Sequence, residues 1–234
     1  MTTSAPEIIG DSESNQECPT SPPDGELQTY YYFPSAVYTV MKPEFIDVVM
    51  EVSNESLKAN THDLNEIYPV QMSGHIADDP RLEEFTSFVA DTAWNILASQ
   101  GYAMNNFTTY FSEMWTQEHH KHSLMEQHVH GAGNQLLGFY FLETPENCSR
   151  AVFHDPRPGK VQINLMETDG SNATPASNMI NFAPEPGMLL FSNAWLPHSF
   201  SRHASEEPIK FVHFNVGVQY TPQVTSVTPA AEII

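Results

Sequence analysis

Three histidines in two short stretches offer this chain its clearest chemistry. The stretch MEQHVHGAGNQLLGFYFLETP sets His128 and His130 two residues apart, ahead of a glycine-broken turn, and GMLLFSNAWLPHSFSRH sets His198 at the end of a second strand-like run. On a strand, residues i and i+2 point to the same side, so His128 and His130 share one face. Two imidazoles on one face, joined by a third from a distant strand, make a facial set of nitrogen ligands that leaves positions open for substrate and oxygen. Such a set suits iron, zinc, copper or nickel and not sodium, potassium or magnesium. A bare H-x-H pair is more often a surface or singly hydrogen-bonded pair, and the chain holds 11 histidines in all.

A rival cluster is HHKH, with His119, His120 and His122 around Lys121. No separate strand supplies it with a further ligand, so it reads as an exposed turn or strand end. His154, His203 and His213 read as satisfied core residues or as supports for a site.

The elements that must position these groups follow from the pattern around them. Residues 1–28 carry six acidic groups and no basic ones among Ser, Pro and Asn, and read as a disordered acidic tail with too little apolar surface to offset ordering. A domain over 29–221 opens on the strand-like YYYFPSAVYTV, and residues 222–234 read as a C-terminal tail. Two helices are expected, at about 43–59 and 80–100. In the first, Phe45, Val48, Val49 and Val52 keep helical spacing behind Pro43. In the second, Asp79 caps, Pro80 takes the first helical position, Gly101 marks the exit, and Phe85, Phe88, Val89, Ile96 and Leu97 form the buried stripe.

From residue 106 the pattern turns to short β runs: FTTYFSEMW, SLMEQHVH, QLLGFYFLE, RAVFHD, VQINLM, NMINFA, MLLFSNAWL and IKFVHFNVGVQY. Turn residues separate them. Helices followed by about eight strands predict a mostly β domain with flanking helices, a jelly roll or double-stranded β-helix of cupin-like form.

The charge narrows the partners. The formal net charge is −20, with three basic against 19 acidic side chains in residues 1–120 and six against nine in residues 121–220. A field of that sign disfavours nucleic acid, while the near-neutral second half tolerates an anionic cosubstrate. No apolar run reaches the roughly 20 residues of a membrane helix, and the start of the chain has neither the basic nor the apolar region of a secretory signal. With two cysteines and no disulfide framework, the expectation is a cytoplasmic protein with reduced thiols. Oligomeric state, including a homo-oligomer, stays open.

The ordered series of motifs resembles the iron(II)/2-oxoglutarate-dependent dioxygenase superfamily, in particular a branch of small bacterial and phage oxygenases. YFPSAVYTV is similar to that branch's opening FP-x-P-V-Y strand. HVHGAGNQLLGFYFLETP is similar to its H-x-H and following SGVYYL…P strand, FHDPR to its DPR strand end, and PEPGMLLFSNAWLPHSF with FVHFN to its closing motifs. The resemblance covers residues 32–220. It implies a double-stranded β-helix holding Fe(II) between its sheets, with His128 and His198 as ligands. It also implies 2-oxoglutarate and O2 as cosubstrates, the keto-acid being split to succinate and CO2 while an unknown second substrate is hydroxylated.

The chain departs from the superfamily in two places. Where the superfamily has a carboxylate ligand stands His130, so the third ligand is either His130 or Asp155 of FHDPR. The superfamily's cation for the far carboxylate of 2-oxoglutarate falls by alignment on Ile209, one position from Lys210, leaving Lys210, Arg202 and Arg157 as candidates. A one-residue slip on a strand changes the face. If the apolar alternate face of the last strand packs inward, Lys210 is the partner; if the His213 and Asn215 face lines the cavity, Arg202 or Arg157 is. Phe139, Tyr140 and Trp195 are expected to wall the site. The alternative readings are a non-enzymatic jelly-roll module that binds metal or a partner, and a cupin-like metal enzyme that does not use 2-oxoglutarate.

Overall fold

A computed structural model describes residues 27, 29, 31–163 and 165–222. The expected acidic tail, residue 27 apart, and nearly all of the expected C-terminal tail lie outside the described residues. Among the described residues, ten strands form two antiparallel sheets. The large sheet runs β1 (Val37–Met41), β8 (Met188–Asn193), β5 (Asn134–Glu143), β10 (Ile209–Tyr220), β3 (Phe107–His119) and β2 (Val70–Met72). The small one runs β4 (Met125–His128), β9 (His198–Phe200), β6 (Ala151–His154) and β7 (Met179–Phe182). Strands β3 to β10 alternate between the two sheets except at the β6–β7 pair, which stays in the small sheet, and this is the double-stranded β-helix.

Two helices, α1 (Ile46–Ala59) and α2 (Glu83–Ser99), cover the outer face of the large sheet. Each follows a 3-10 turn that starts on a proline, Pro43 or Pro80, where a missing N–H costs nothing. The Asp79 carboxylate accepts from the Arg81 N–H at 2.9 Å and caps the second turn. The inward faces of the helices bury Val49, Val52, Phe85, Phe88, Val89 and Ile96 against the sheet. Burial of each such side chain contributes about 1.5–3 kcal/mol.

Alternation along β10 separates the two cores. Val212, Phe214 and Val216 face the helices, whereas Ile209 and Phe211 face the space between the sheets with Phe139, Phe141, Phe153 and Phe200. Gly138 lets β5 pass close over β10, since a Cβ there would stand 2.3 Å from the Phe214 ring and 2.5 Å from the Leu190 carbonyl oxygen.

Two elements differ from the pattern reading. VQINLM is no strand: Pro158–Gln162 form a 3-10 turn, and Leu165 and Met166 stand exposed beyond it. Alternating Val, Ile and Leu make a strand only beside a neighbour that takes up their backbone groups, and the small sheet already ends on β7. Strand β2 is three residues long and pairs with β3 through Val70↔His119 and Met72↔Gln117, too short to leave a period in the sequence. Among the described residues no helix is long and apolar enough to cross a membrane.

Candidate metal centre

Strands β4 and β9 pair His128 directly with His198. His130 lies just past the end of β4, not on the strand, and its backbone N–H is anchored on the Ala194 carbonyl at 2.9 Å. The turn that follows is held by positive φ at Ala132 and Gly133 and by the Asn134 N–H donating to the Gly131 carbonyl at 3.1 Å. This turn sends the chain across to the large sheet as β5. One ligand atom from each of His128, His130 and His198 lies within 4.8 Å of the others. The ring centres are 4.4 Å apart for His128–His198, 5.1 Å for His128–His130 and 5.2 Å for His130–His198.

The surroundings decide which nitrogens are free. His128 Nδ1 sits 2.7 Å from the Glu126 carbonyl and His198 Nδ1 3.1 Å from the Leu196 carbonyl. A carbonyl can only accept, so each Nδ1 carries the hydrogen and each Nε2 keeps its lone pair. His198 Nε2 and His130 Nε2 are buried without a hydrogen-bond partner. Burial, reinforced by the neighbouring imidazoles, pushes His198 down to about 3 and His130 to about 4. The triad thus offers convergence, free lone pairs and, at His130 and His198, suppressed protonation, the conditions for metal ligation by neutral imidazole. Iron(II) fits this donor set.

The triad opens on a cavity of about 220 Å³ between the sheets, walled by Phe139, Trp115 and a fourth histidine, His213. A wider depression of about 550 Å³ adjoins it, bordered by Ile67, Tyr68, Met125 and His128. His213 is fully enclosed, and burial first, then the three other imidazoles, holds it well below its ordinary value.

The remaining candidates stand elsewhere. Asp155 is not at the triad: its carboxylate is held by Arg157 at 2.7 Å and Lys160 at 3.2 Å, which keep it well below the usual carboxylate range. Together with Arg157 it borders a separate depression beside residues 31–35. Lys210 points to the helix side of the large sheet, where it pairs with Glu118 at 3.2 Å and Glu143 at 3.0 Å and donates to Asn54 at 3.0 Å. The His213 and Asn215 face of β10 is the one turned to the site, so the one-residue offset at Lys210 reverses its direction. Arg202 is exposed, with Nη2 3.0 Å from His122 Nδ1, and Arg157 is exposed as well. None of the three lines the cavity. Of the aromatic walls, Phe139 lines it; Tyr140 packs under the helices with its hydroxyl donating to the Lys42 carbonyl, and Trp195 is half exposed. Trp115 lines the cavity without having been singled out in the sequence, and His213, expected as a core residue or a support for the site, lines it directly. Their signal lies in β3 and β10, where they are cross-strand partners.

Residues 113–215 match the family described as "Putative 2OG-Fe(II) oxygenase". No curated protein matches the sequence. In fold the chain is similar to the carbocyclase SnoK of nogalamycin biosynthesis, described as non-heme and alpha ketoglutarate dependent, with a TM-score of 0.58 and 10% identity over 82% of this chain and 84% of that one. It is also similar to a prolyl-4-hydroxylase of Pseudomonas putida, with a TM-score of 0.51 and 11% identity over 78% and 93%. A third similar structure is HygX of Streptomyces hygroscopicus with nickel and 2-oxoglutarate bound, with a TM-score of 0.50 and 12% identity over 78% and 83%. The match to the 2OG-Fe(II) oxygenase family thus spans the segment that carries all three histidines, and the fold is the one the chain shares with these solved structures.

Proposed function

We propose that the chain is an iron(II)- and 2-oxoglutarate-dependent oxygenase, that His128, His130 and His198 hold its iron, and that the reaction hydroxylates a C–H bond of a second substrate. The carrying observation is the convergence of three imidazoles, with His130 Nε2 and His198 Nε2 buried without a protein partner and His128 held through Nδ1 so that its Nε2 keeps its lone pair. In overall balance, substrate, 2-oxoglutarate and O2 give hydroxylated substrate, succinate and CO2. Iron(II) bound there supplies the redox chemistry with O2.

The chain's own residues supply orientation and dryness. The Glu126 and Leu196 carbonyls fix the rings of His128 and His198 through their Nδ1–H groups, the kind of outer contact that sets ligand direction. Phe139 and the phenylalanines behind it exclude water from the inner side. The depression at Ile67, Tyr68 and Met125 reaches the triad at His128 and gives the second substrate its approach. With the acidic first half of the chain, this favours a substrate without a phosphate backbone. A cytoplasmic setting belongs to the same reading, supported by the free Cys148 thiol.

Anaerobic loading followed by addition of O2 tests the proposal. The expected result is one iron per chain, with succinate formed only when iron(II), 2-oxoglutarate and O2 are all present. Iron bound at the triad with no succinate under any of these conditions would contradict it.

A further inference from the structure

The second carboxylate of 2-oxoglutarate needs partners when it enters a closed cavity, and a buried carboxylate ordinarily takes a charge-assisted pair. This chain offers no such pair. All nine Lys and Arg side chains belong to described residues, and none lines the cavity beside the triad. At the position where the superfamily's cation aligns, Ile209 is fully buried. In front of it Phe200 and Phe211 stack with ring centres 4.8 Å apart and planes at 5°, and Phe139 meets Phe200 edge-on at 5.0 Å. The inner end of the space is apolar and filled.

Polar atoms do remain next to the triad. His213 is 2% exposed, its ring is 5.0 Å from that of His130, and neither of its nitrogens completes a hydrogen bond, although the Gly138 backbone lies close. Trp115, its cross-strand partner, meets it edge-on at 4.6 Å, and Trp115 Nε1 is likewise buried without a partner. Indole Nε1–H is a donor only, and a neutral imidazole always has one N–H to give. Unpartnered buried donors cost free energy unless a ligand satisfies them. Two such donors lining the cavity of the triad mark where an acceptor belongs.

We infer that Trp115 and His213 receive the far carboxylate of 2-oxoglutarate, so that this oxygenase holds its cosubstrate on neutral N–H donors in place of a cation. The inference rests on the proposed iron site. The ligand set makes it electrostatically consistent: three neutral imidazoles leave the divalent ion both of its charges, one more than a set containing a carboxylate. The two charges of the cosubstrate are then balanced at the metal end, and the far end needs hydrogen bonds only.

The test is calorimetric titration of metal-loaded protein, without O2, with 2-oxoglutarate and with 2-oxopentanoate, which has a methyl group in place of the second carboxylate. Wild type is expected to bind 2-oxoglutarate more tightly. Trp115→Phe and His213→Leu should each weaken 2-oxoglutarate on the order of tenfold, the worth of one hydrogen bond to a charged group. The same variants should shift 2-oxopentanoate by less than about threefold and leave metal per chain unchanged. Equal weakening of both acids would assign the two residues a merely structural role and overturn the inference, as would no weakening of either. Wild type that binds both acids equally would overturn it without any variant. Metal-loaded wild type that binds neither acid would instead remove the cosubstrate part of the proposed function, a separate outcome.

Discussion

Two histidine clusters, one ahead of strand β4 and one beginning at its last residue, are built from the same side chain, yet among the described residues only one gathers the ring nitrogens of three residues. In HHKH the rings turn to separate neighbours. His119 Nε2 is 2.8 Å from Gln117 Oε1, His120 Nε2 lies 3.0 Å from Glu118 Oε1 without completing a hydrogen bond, and His122 Nδ1 lies 3.0 Å from Arg202 Nη2. At the triad the rings turn toward one another, and the contacts of His128 and His198 Nδ1 to the Glu126 and Leu196 carbonyls fix direction while leaving Nε2 free. Density of histidine in the sequence therefore says little, and neither does a nitrogen left without a partner, since His119 Nδ1 and His120 Nε2 are buried without one; what separates the clusters is whether nitrogens of three residues converge, as they do at the triad. The triad is open because strand pairing sets His128 opposite His198 and the Ala194 carbonyl swings His130 in beside them.

The comparison breaks most readily at the ligands. His198→Ala should lower iron affinity by more than about 100-fold, beyond the 10–100-fold typical of losing an outer contact, while His122→Ala leaves it unchanged; equilibrium metal titration reads both. Next in size is Lys210→Met, which leaves Glu118 and Glu143 without their cation. Because Glu143 is half exposed, the expected loss is about 2 kcal/mol, below that of a wholly buried pair, with no change in 2-oxoglutarate affinity; urea unfolding and ligand titration check the two halves. A smaller, pH-dependent effect belongs to His119. Burial, then the charges of His203 and His120, holds it at about 3 in the folded state against about 6.5 when free. The unfolded chain takes up the proton first, so the contribution of neutral His119 is full above about pH 6.5 and is lost as pH falls toward 3. His119→Leu should flatten the decline of stability across that window. The smallest effect is expected from Asp155→Ala, which removes an anchor of the 156–178 loop: iron per chain stays at the wild-type value, and only proteolysis within that loop quickens.

Much of the fold was legible because its signals are local. Pro80 behind Asp79 marks a helix start in any context, and the period-2 runs with turn residues between them give a mostly β domain. His128, His130 and His198 could be singled out because two lie close in sequence and the third closes a strand. What could not be read depends on partners far along the chain. VQINLM has strand composition and no strand beside it. The direction of Lys210 hangs on which alternate of β10 meets the small sheet, and Ile209, His213 and Asn215 took that face. Trp115 and His213 became site residues only through the β3–β10 register, which joins segments some 100 positions apart.

The central claim, that three neutral imidazoles hold the iron, is met most directly by X-ray absorption at the iron edge of anaerobically loaded protein. Three imidazole nitrogens at about 2.0–2.2 Å are expected, with one of them absent in His130→Ala. A wild-type spectrum with fewer than three imidazoles, or one that His130→Ala leaves unaltered, would contradict the account.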